Sequence, residues 1–130
     1  MGKRKHEYAE KLKEKRANTY YAILRDCPTS PRKMNQVAAL IRGLAVDKAL
    51  NVLKYNTREA AGRLEKLLKS AINNYEQKTG QPANENLYVK TVKVDGGFQL
   101  KRLRSAPQGR AYRIRKRSNH VTLILDIKNK

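Results

Sequence analysis

The chain has 130 residues, of which 39% are hydrophobic and 32% are charged. A chain of this length is predicted to form one domain that buries roughly two thirds of the surface exposed by its unfolded state. Thirty Lys and Arg residues stand against eleven Asp and Glu residues, a formal net charge of +19. Such a body repels itself unless a polyanion neutralises it, and nucleic acid or an anionic membrane surface are the candidate polyanions.

The sequence also bears on the compartment. No apolar run is long enough to span a bilayer. The N-terminal stretch MGKRKHEYAEKLKEKR lacks the apolar segment of a secretory signal, and its Glu residues argue against a mitochondrial transit peptide. The single cysteine, Cys27, cannot form an internal disulfide. A reducing cytosol is therefore predicted, without a multi-cysteine metal site.

Residues 1–18 form a basic N-terminal arm with two open interpretations. Tyr8 and Leu12 are one helical turn apart, which favours a short helix, whereas the density of charge favours a mobile arm. The arm is a candidate second RNA-binding element, and a solubilising tail is the alternative. Its basic residues are Lys3, Arg4, Lys5, Lys11, Lys13, Lys15 and Arg16. The following stretch TYYAIL, Thr19–Leu24, has the composition of a short strand.

Three helices are predicted next. Ser30 is a good N-cap and Pro31 suits the first helical position, while Gly43 is placed to close the helix. Asn56 and Glu59 predict a capping box at the start of the third helix, which Gly80 and Pro82 end. The apolar positions have helical spacing throughout. They are Met34, Val37, Ala38 and Ile41; then Val46, Ala49, Leu50 and Leu53; then Ala60, Ala61, Leu64, Leu67, Leu68, Ala71, Ile72 and Tyr75.

Strand-like periodicity follows Pro82. Leu87–Val94 predicts a strand with an irregularity, because Val89 and Val92 are out of phase, and Gly96-Gly97 allow a bulge or turn. The final run has period two, with Val121, Leu123, Leu125 and Ile127 on one face. These patterns predict an α+β domain over residues 19–130, with about three helices packed on one face of a small antiparallel sheet.

A basic segment, residues 98–120, separates the last two strands. Residues 101–117 contain eight Lys and Arg residues and no acid, with Leu103 and Ile114 as the only large aliphatics. A hairpin with arms of about ten residues reaches roughly 30 Å, well beyond a body whose radius of gyration is about 14 Å. Arginine predominates, which favours phosphate and base contacts, and Tyr112 offers a stacking face. A disordered basic loop that binds polyanions non-specifically is the alternative.

Other candidate sites are few. Ser30, Arg32 and Lys33 place two cations at a helix N-terminus, where the dipole and free N–H groups attract phosphate. His6 and His120 have no ligand or triad spacing, Cys27 has no partner in sequence, and the acids are scattered. We therefore predict neither an enzyme nor a metal or cofactor site.

The order of features resembles a known family. The stretches SPRKMNQVAALIRGLAVDKALNVLKYN, KSAINNYEQ and KVDGGFQLKRLRSAPQGRAYRIRKRSNHVTLIL are similar to ribosomal protein number twenty-two of the bacterial large subunit. The similarity covers about residues 19–128, and its most specific part is the pattern G-R-A-x-R-I-x-K-R-x-x-H-[IV]-T from Gly109 to Thr122.

This resemblance implies three helices on a three-stranded antiparallel sheet with a long protruding β-hairpin. It implies a structural constituent of the large ribosomal subunit that bridges several domains of 23S rRNA during assembly, without catalysis. The implied partners are 23S rRNA, neighbouring large-subunit proteins and the nascent polypeptide, with no membrane and no homo-oligomer. The implied rRNA contacts are Ser30, Arg32, Lys33, Lys101, Arg102, Arg104, Arg110, Tyr112, Arg113, Arg115, Lys116 and Arg117.

The resemblance also implies that the hairpin tip lines the polypeptide exit tunnel, close to where macrolide antibiotics bind. The tip residues are Ser105, Ala106, Pro107, Gln108 and Gly109. Many family members carry P-R-A-K-G-R here, so Ala106 and Gln108 replace an arginine and a lysine and make this tip less cationic.

Two alternatives to a ribosomal role stay open at this point. The first is a free basic nucleic-acid-binding module, such as a DNA-compacting or RNA-chaperone protein. The second is a cationic membrane-surface protein, which is disfavoured because the basic segment lacks the apolar stripe of an interfacial helix.

Overall fold

The computed structural model describes residues 2–83 and 86–128. Residue 1 of the predicted arm and residues 84, 85, 129 and 130 of the predicted domain lie outside this description. The elements are α1 (Lys3–Ala17), β1 (Tyr20–Cys27), α2 (Pro31–Ile41), α3 (Val46–Lys54), α4 (Glu59–Thr79), β2 (Leu87–Ser105), a 3-10 turn (Pro107–Gly109) and β3 (Ala111–Ile127). The predicted α+β class is confirmed, with α1 as an additional helix.

Strand β3 is the centre of a three-stranded antiparallel sheet of order β1-β3-β2. Its predicted alternation is present, since Val121, Leu123 and Leu125 are buried. Ile127 was predicted to share that buried face, but it is 40% exposed. The reason is that β1 begins at Tyr20, opposite Leu125, so that only β2 flanks the last residues of β3.

The N-terminal cap of α2 is as predicted. The Ser30 hydroxyl accepts a hydrogen bond from the Lys33 backbone N–H at 3.5 Å, and Pro31 is the first helical residue. The capping box predicted for α4 is wrong, because the helix begins at Glu59 after Arg58. Asn56 Oδ1 instead accepts from the Arg58 N–H at 3.0 Å and forms a turn ahead of the helix.

The core lies between the sheet and helices α2, α3 and α4. Nearly all the predicted helical positions are buried, and Leu50 and Ile72 are partly buried. Tyr75 of α4 is buried and meets the ring of Tyr20 of β1 edge-on, with the ring centroids 4.8 Å apart. These contacts fix the helices on one face of the sheet.

The irregularity predicted in β2 is a shift in its register with β3. The shift falls between Val89 and Thr91, so that Val89 and Val92 are both buried although they are three residues apart. Lys90, at the shift, donates to Asp126 Oδ2 at 2.6 Å across the strands. This hydrogen bond raises the pKa of Lys90 and lowers the pKa of Asp126.

Side chains and a loop cover both edges of the sheet within the body. At β1, Asn74 donates to the Tyr21 carbonyl and Lys78 to the Thr19 carbonyl, both at 3.0 Å. At β2, the loop after α2 pairs with Val89. Arg42 donates from Nε and Nη2 to the Val92 carbonyl at 3.1 and 2.9 Å. Covered edges of this kind protect a sheet against pairing with other chains.

Candidate nucleic-acid interface

The hairpin, defined here as Gln99–Arg117, extends from the body as a two-stranded ribbon. Strand β1 ends at Cys27, whose partner is Asn119, and beyond this point only β2 and β3 pair. Seven residue pairs join the two arms, from Gln99 with Arg117 to Ser105 with Ala111. At ~3.3 Å per residue, each seven-residue arm is about 23 Å long.

Cations occupy both faces of the hairpin. Because side chains alternate along a strand and directly paired residues share a face, the register assigns each cation to a face. One face carries Lys101, Arg113, Arg115 and Arg117, the other carries Arg102, Arg104 and Lys116, and Arg110 lies beside the tip. All eight side chains are exposed. The structure therefore brings the predicted hairpin cations together, but on two opposite surfaces.

These charges are not neutralised within the part of the chain that the structure describes. No acid occurs between Asp95 and Asp126, and none of the described salt bridges includes a hairpin cation. Lys101 lies directly opposite Arg115, and like charges in that position destabilise a strand pair. Anions bound along the ribbon would relieve this repulsion.

The tip is a tight turn without charge. The Ala106 N–H donates to the Arg110 carbonyl at 2.9 Å, which closes the turn. Gln108 and Gly109 both have positive φ, 62° and 72°, so two successive residues lie in the left-handed region. Gly109 adopts this conformation without steric cost, whereas Gln108 does not. Tyr112, 64% exposed, lies on the same face as Arg104.

The cations predicted on the body lie near the base of the hairpin. Arg32 and Lys33 are exposed in the first turn of α2, which contains no acid. Asn119 of β3 is fully buried, and its Nδ2 donates to the Thr29 carbonyl just before Ser30. The start of α2 is thereby tied to the strand that continues into the hairpin.

The N-terminal arm is helical and stands apart from the core. Helix α1 has no buried residue, and Leu12 alone is partly covered. Its first turn contains Lys3, Arg4 and Lys5 and no acid, an arrangement that the helix dipole disfavours. Of the two interpretations of the arm, the structure shows the helix, and the basic side chains of this helix are exposed.

Nothing in the described residues resembles a catalytic or metal centre. They contain no group of three or more His, Cys, Asp or Glu side chains that could hold a metal ion. The Cys27 thiol is buried, with Sγ 3.7 Å from Thr29 Oγ1. No helix in the described ranges is long and apolar enough to cross a membrane.

His120 has a role that the sequence did not reveal. Its Nδ1 accepts a hydrogen bond from the Asp26 backbone N–H at 3.0 Å, so the imidazole joins β3 to the irregular end of β1. The two residues are 94 positions apart, and no local pattern connects them.

Comparisons with known proteins identify the family of this chain. Residues 22–126 match the family described as Ribosomal protein L22p/L17e. A relative from Flavobacterium johnsoniae, named Large ribosomal subunit protein uL22, is 58% identical over 96% of this chain and 93% of its own length. Relatives of the same name from Porphyromonas gingivalis and Bacteroides fragilis are 56% and 58% identical over 99% of this chain and 97% and 96% of their own lengths. The chain belongs to the L22p/L17e family of ribosomal proteins.

Proposed function

We propose that the chain is a structural constituent of the large ribosomal subunit that binds 23S rRNA and bridges several of its domains. Its relatives are named as large-subunit proteins of bacteria, in which ribosomes lie in the cytoplasm. The family is one of ribosomal proteins, so the prediction that the chain is not an enzyme is confirmed. In its two-part organisation, residues 1–18 are an arm and residues 19–130 are the domain that carries the hairpin.

The observation that carries the proposal is the two-faced charge of the hairpin. Four cations on one face and three on the other suit a ribbon that lies between RNA segments and contacts phosphates on both sides. A surface that binds one RNA helix needs cations on a single face. Arginine supplies a planar fork for phosphate and also stacks on bases. The hairpin thereby braces RNA segments against one another by neutralising their phosphates.

The tip, Ser105–Gly109, faces the nascent polypeptide in the exit tunnel under this proposal. Its lack of charge leaves a passing chain without strong electrostatic contacts, and its cationic flanks, Arg104 and Arg110, remain available to rRNA. The positive φ of Gln108 agrees with this assignment, because strained backbone occurs preferentially at functional sites.

The body and the arm add further rRNA contacts. Ser30, Arg32 and Lys33 hold phosphate at the start of α2, next to the base of the hairpin. The cations of α1 form a second contact surface, since Lys3, Arg4 and Lys5 oppose the helix dipole unless an anion lies near them. Neighbouring large-subunit proteins contact the remaining surface of the body.

Binding to 23S rRNA over a range of salt concentrations tests the proposal. Each phosphate contact removed lowers the slope of log K against log salt by about 0.7–0.9. The double variant Arg113→Ala/Arg115→Ala should therefore lose about 1.4–1.8 from the slope. The matched control, Lys48→Ala/Lys54→Ala, removes the same charge from helix α3 and should change the slope less. Equal losses would favour a non-specific polyanion binder.

A second experiment separates a ribosomal role from a free nucleic-acid-binding module. The chain should co-sediment with large subunits at moderate salt, and it should prefer 23S rRNA over random duplex DNA at matched salt. A chain found only in the soluble fraction, with equal affinity for both nucleic acids, would contradict the ribosomal role.

A further inference from the structure

A cleft lies at the base of the hairpin, where β2 and β3 leave the body and β1 ends. We call it the base cleft. Its floor is apolar, with Pro28, Phe98 and Leu100, and Lys116 and Arg117 line its rim. Asp26 also borders it. The predicted sites included the two cations but not the other four residues.

Phe98 is held in an exposed position by a bulge. Gly96 pairs with Asn119 and Gln99 pairs with Arg117, so Gly97 and Phe98 together oppose Ser118. The Ser118 hydroxyl donates to the Phe98 carbonyl at 2.7 Å and fixes the backbone there. Bulges commonly re-aim a side chain beside a functional site. Phe98 is the only phenylalanine of the chain and is 69% exposed, although burying it would stabilise a small core.

The chemistry of the cleft indicates what covers this ring. An aromatic face beside exposed aliphatic carbon suits a flat, weakly polar ligand, and two cations at the rim suit an anion attached to it. A nucleotide has both parts in one molecule. Proteins that recognise single-stranded RNA stack unpaired bases on aromatic side chains in this manner. A neutral peptide would leave Lys116 and Arg117 without a counter-charge.

Asp26 adds a directional acceptor to a basic surface. It has a positive φ of 51°, and His120 Nδ1 accepts a hydrogen bond from its backbone N–H. Its carboxylate is 75% exposed, with Oδ1 3.8 Å from His120 Nε2. A carboxylate accepts hydrogen bonds from the N–H groups of bases but repels phosphate. Guanine offers two adjacent N–H donors on its Watson–Crick edge, which match the two oxygens of a carboxylate.

We propose that the base cleft binds one unpaired nucleotide of rRNA, with guanine preferred. The base stacks on Phe98 against Leu100 and Pro28, its N–H edge donates to Asp26, and a flanking phosphate lies on Lys116, which shares the hairpin face of Leu100. The inference rests on the proposed rRNA binding and adds base selectivity to it. The hairpin arms bind phosphate without regard to sequence, whereas this cleft reads one base.

A tryptophan reporter tests whether the ring stacks on RNA. The chain contains no Trp, so Phe98→Trp introduces a single fluorophore in the cleft. Titration with the single-stranded heptamers UUUGUUU and UUUUUUU should quench it saturably, and the guanine heptamer should act at lower concentration. Leu103→Trp, on an exposed hairpin position, is the control and should respond equally to both heptamers. A Phe98→Trp signal that RNA leaves unchanged would overturn the proposal.

Affinity measurements complete the test. Phe98→Ala should weaken binding of UUUGUUU by about 5- to 150-fold, as for other base-stacking aromatics, without altering the salt slope. Asp26→Asn should abolish the preference for guanine while strengthening binding of UUUUUUU, because a negative charge is lost. If wild-type chain fails to bind any RNA, the proposed function fails with the cleft.

If the wild-type chain binds RNA with a steep dependence of log K on log salt, and Phe98→Ala binds the heptamers with the same affinity, only the cleft proposal fails. A Phe98→Ala chain that binds RNA normally, but enters subunits reconstituted from rRNA and subunit proteins poorly, would assign the cleft to a protein partner and also overturn the proposal.

Discussion

Substitution of Gly97 by alanine tests whether the base of the hairpin is as tightly packed as the structure indicates. A Cβ atom at this position would lie 2.6 Å from Ser118 Oγ, 3.2 Å from the Ser118 carbonyl carbon and 3.2 Å from His120 Nε2. The serine hydroxyl can rotate away, but it then loses its 2.7 Å hydrogen bond to the Phe98 carbonyl. The carbonyl carbon is backbone and cannot move without shifting β3.

The expected cost follows from these contacts. Overpacking of this kind costs about 1–3 kcal/mol, and a lost hydrogen bond costs about 0.5–1.5 kcal/mol. The lower entropy of an unfolded chain with alanine offsets about 0.4–1 kcal/mol. Gly97→Ala should therefore reduce the free energy of unfolding by roughly 1–3 kcal/mol. With a urea dependence of about 2 kcal/mol per molar, the midpoint should fall by about 1 M.

Gly96→Ala is the matched control, because a Cβ atom at Gly96 meets nothing within 4 Å and its φ is not positive. This variant should be as stable as the wild-type chain or slightly more so. Urea unfolding followed by far-ultraviolet circular dichroism measures both. The double variant Gly97→Ala/Ser118→Ala should recover part of the loss, because the 2.6 Å contact disappears. Equal stability of Gly97→Ala and Gly96→Ala would refute the proposed packing.

Three further predictions concern the body. Asp126, whose pKa is lowered chiefly by the hydrogen bond from Lys90, contributes stability that is present above its usual pKa of 3.8 and is lost as the pH falls below it. Asp126→Asn should thus reduce the difference in the free energy of unfolding between pH 7 and pH 3, measured by urea unfolding, by an amount typical of exposed ion pairs, about 0.2–1 kcal/mol; an unchanged difference would contradict this. Arg42→Ala removes two hydrogen bonds from the Val92 carbonyl and should lower the free energy of unfolding by about 1–2 kcal/mol. A variant as stable as the wild-type chain would show that Arg42 does not stabilise this sheet edge. Leu68→Ala, at a fully buried position of α4, should cost about 2–5 kcal/mol in the same assay, and a loss below 1 kcal/mol would place Leu68 outside the core.

Much of the fold was predictable because its signals are local. Helices α2, α3 and α4 follow from apolar spacing and from residues such as Ser30, Pro31 and Gly80, which act within one turn of themselves. The start of α4 was predicted less well, because the Asn56 side chain accepts a hydrogen bond within the preceding turn and does not cap the helix. The irregularity of β2 was visible in Val89 and Val92, since a bulge must change the phase of a buried face.

The state of the arm was not predictable from the sequence. A fifteen-residue charged helix that buries none of its residues is marginal on its own, so composition favours neither interpretation. The contacts that individual cations make were equally unpredictable from the sequence. Arg42 and Lys78 are the same residue types as the hairpin cations, yet they donate hydrogen bonds to backbone carbonyls at the sheet edges.

Sequence alone predicts that residues 101–117 are not buried, because eight cations without an acid exceed what a small core accepts. It also predicts a polyanion as the partner, because a net charge of +19 needs neutralising. Tertiary structure alone decided that the cations divide between two faces, since this depends on the register of β2 with β3. It alone brought Asp26, Phe98 and His120 together at the base of the hairpin. Residues so far apart in the chain meet only through the pairing of strands. Sequence periodicity predicts the strands but does not predict which of their residues become neighbours.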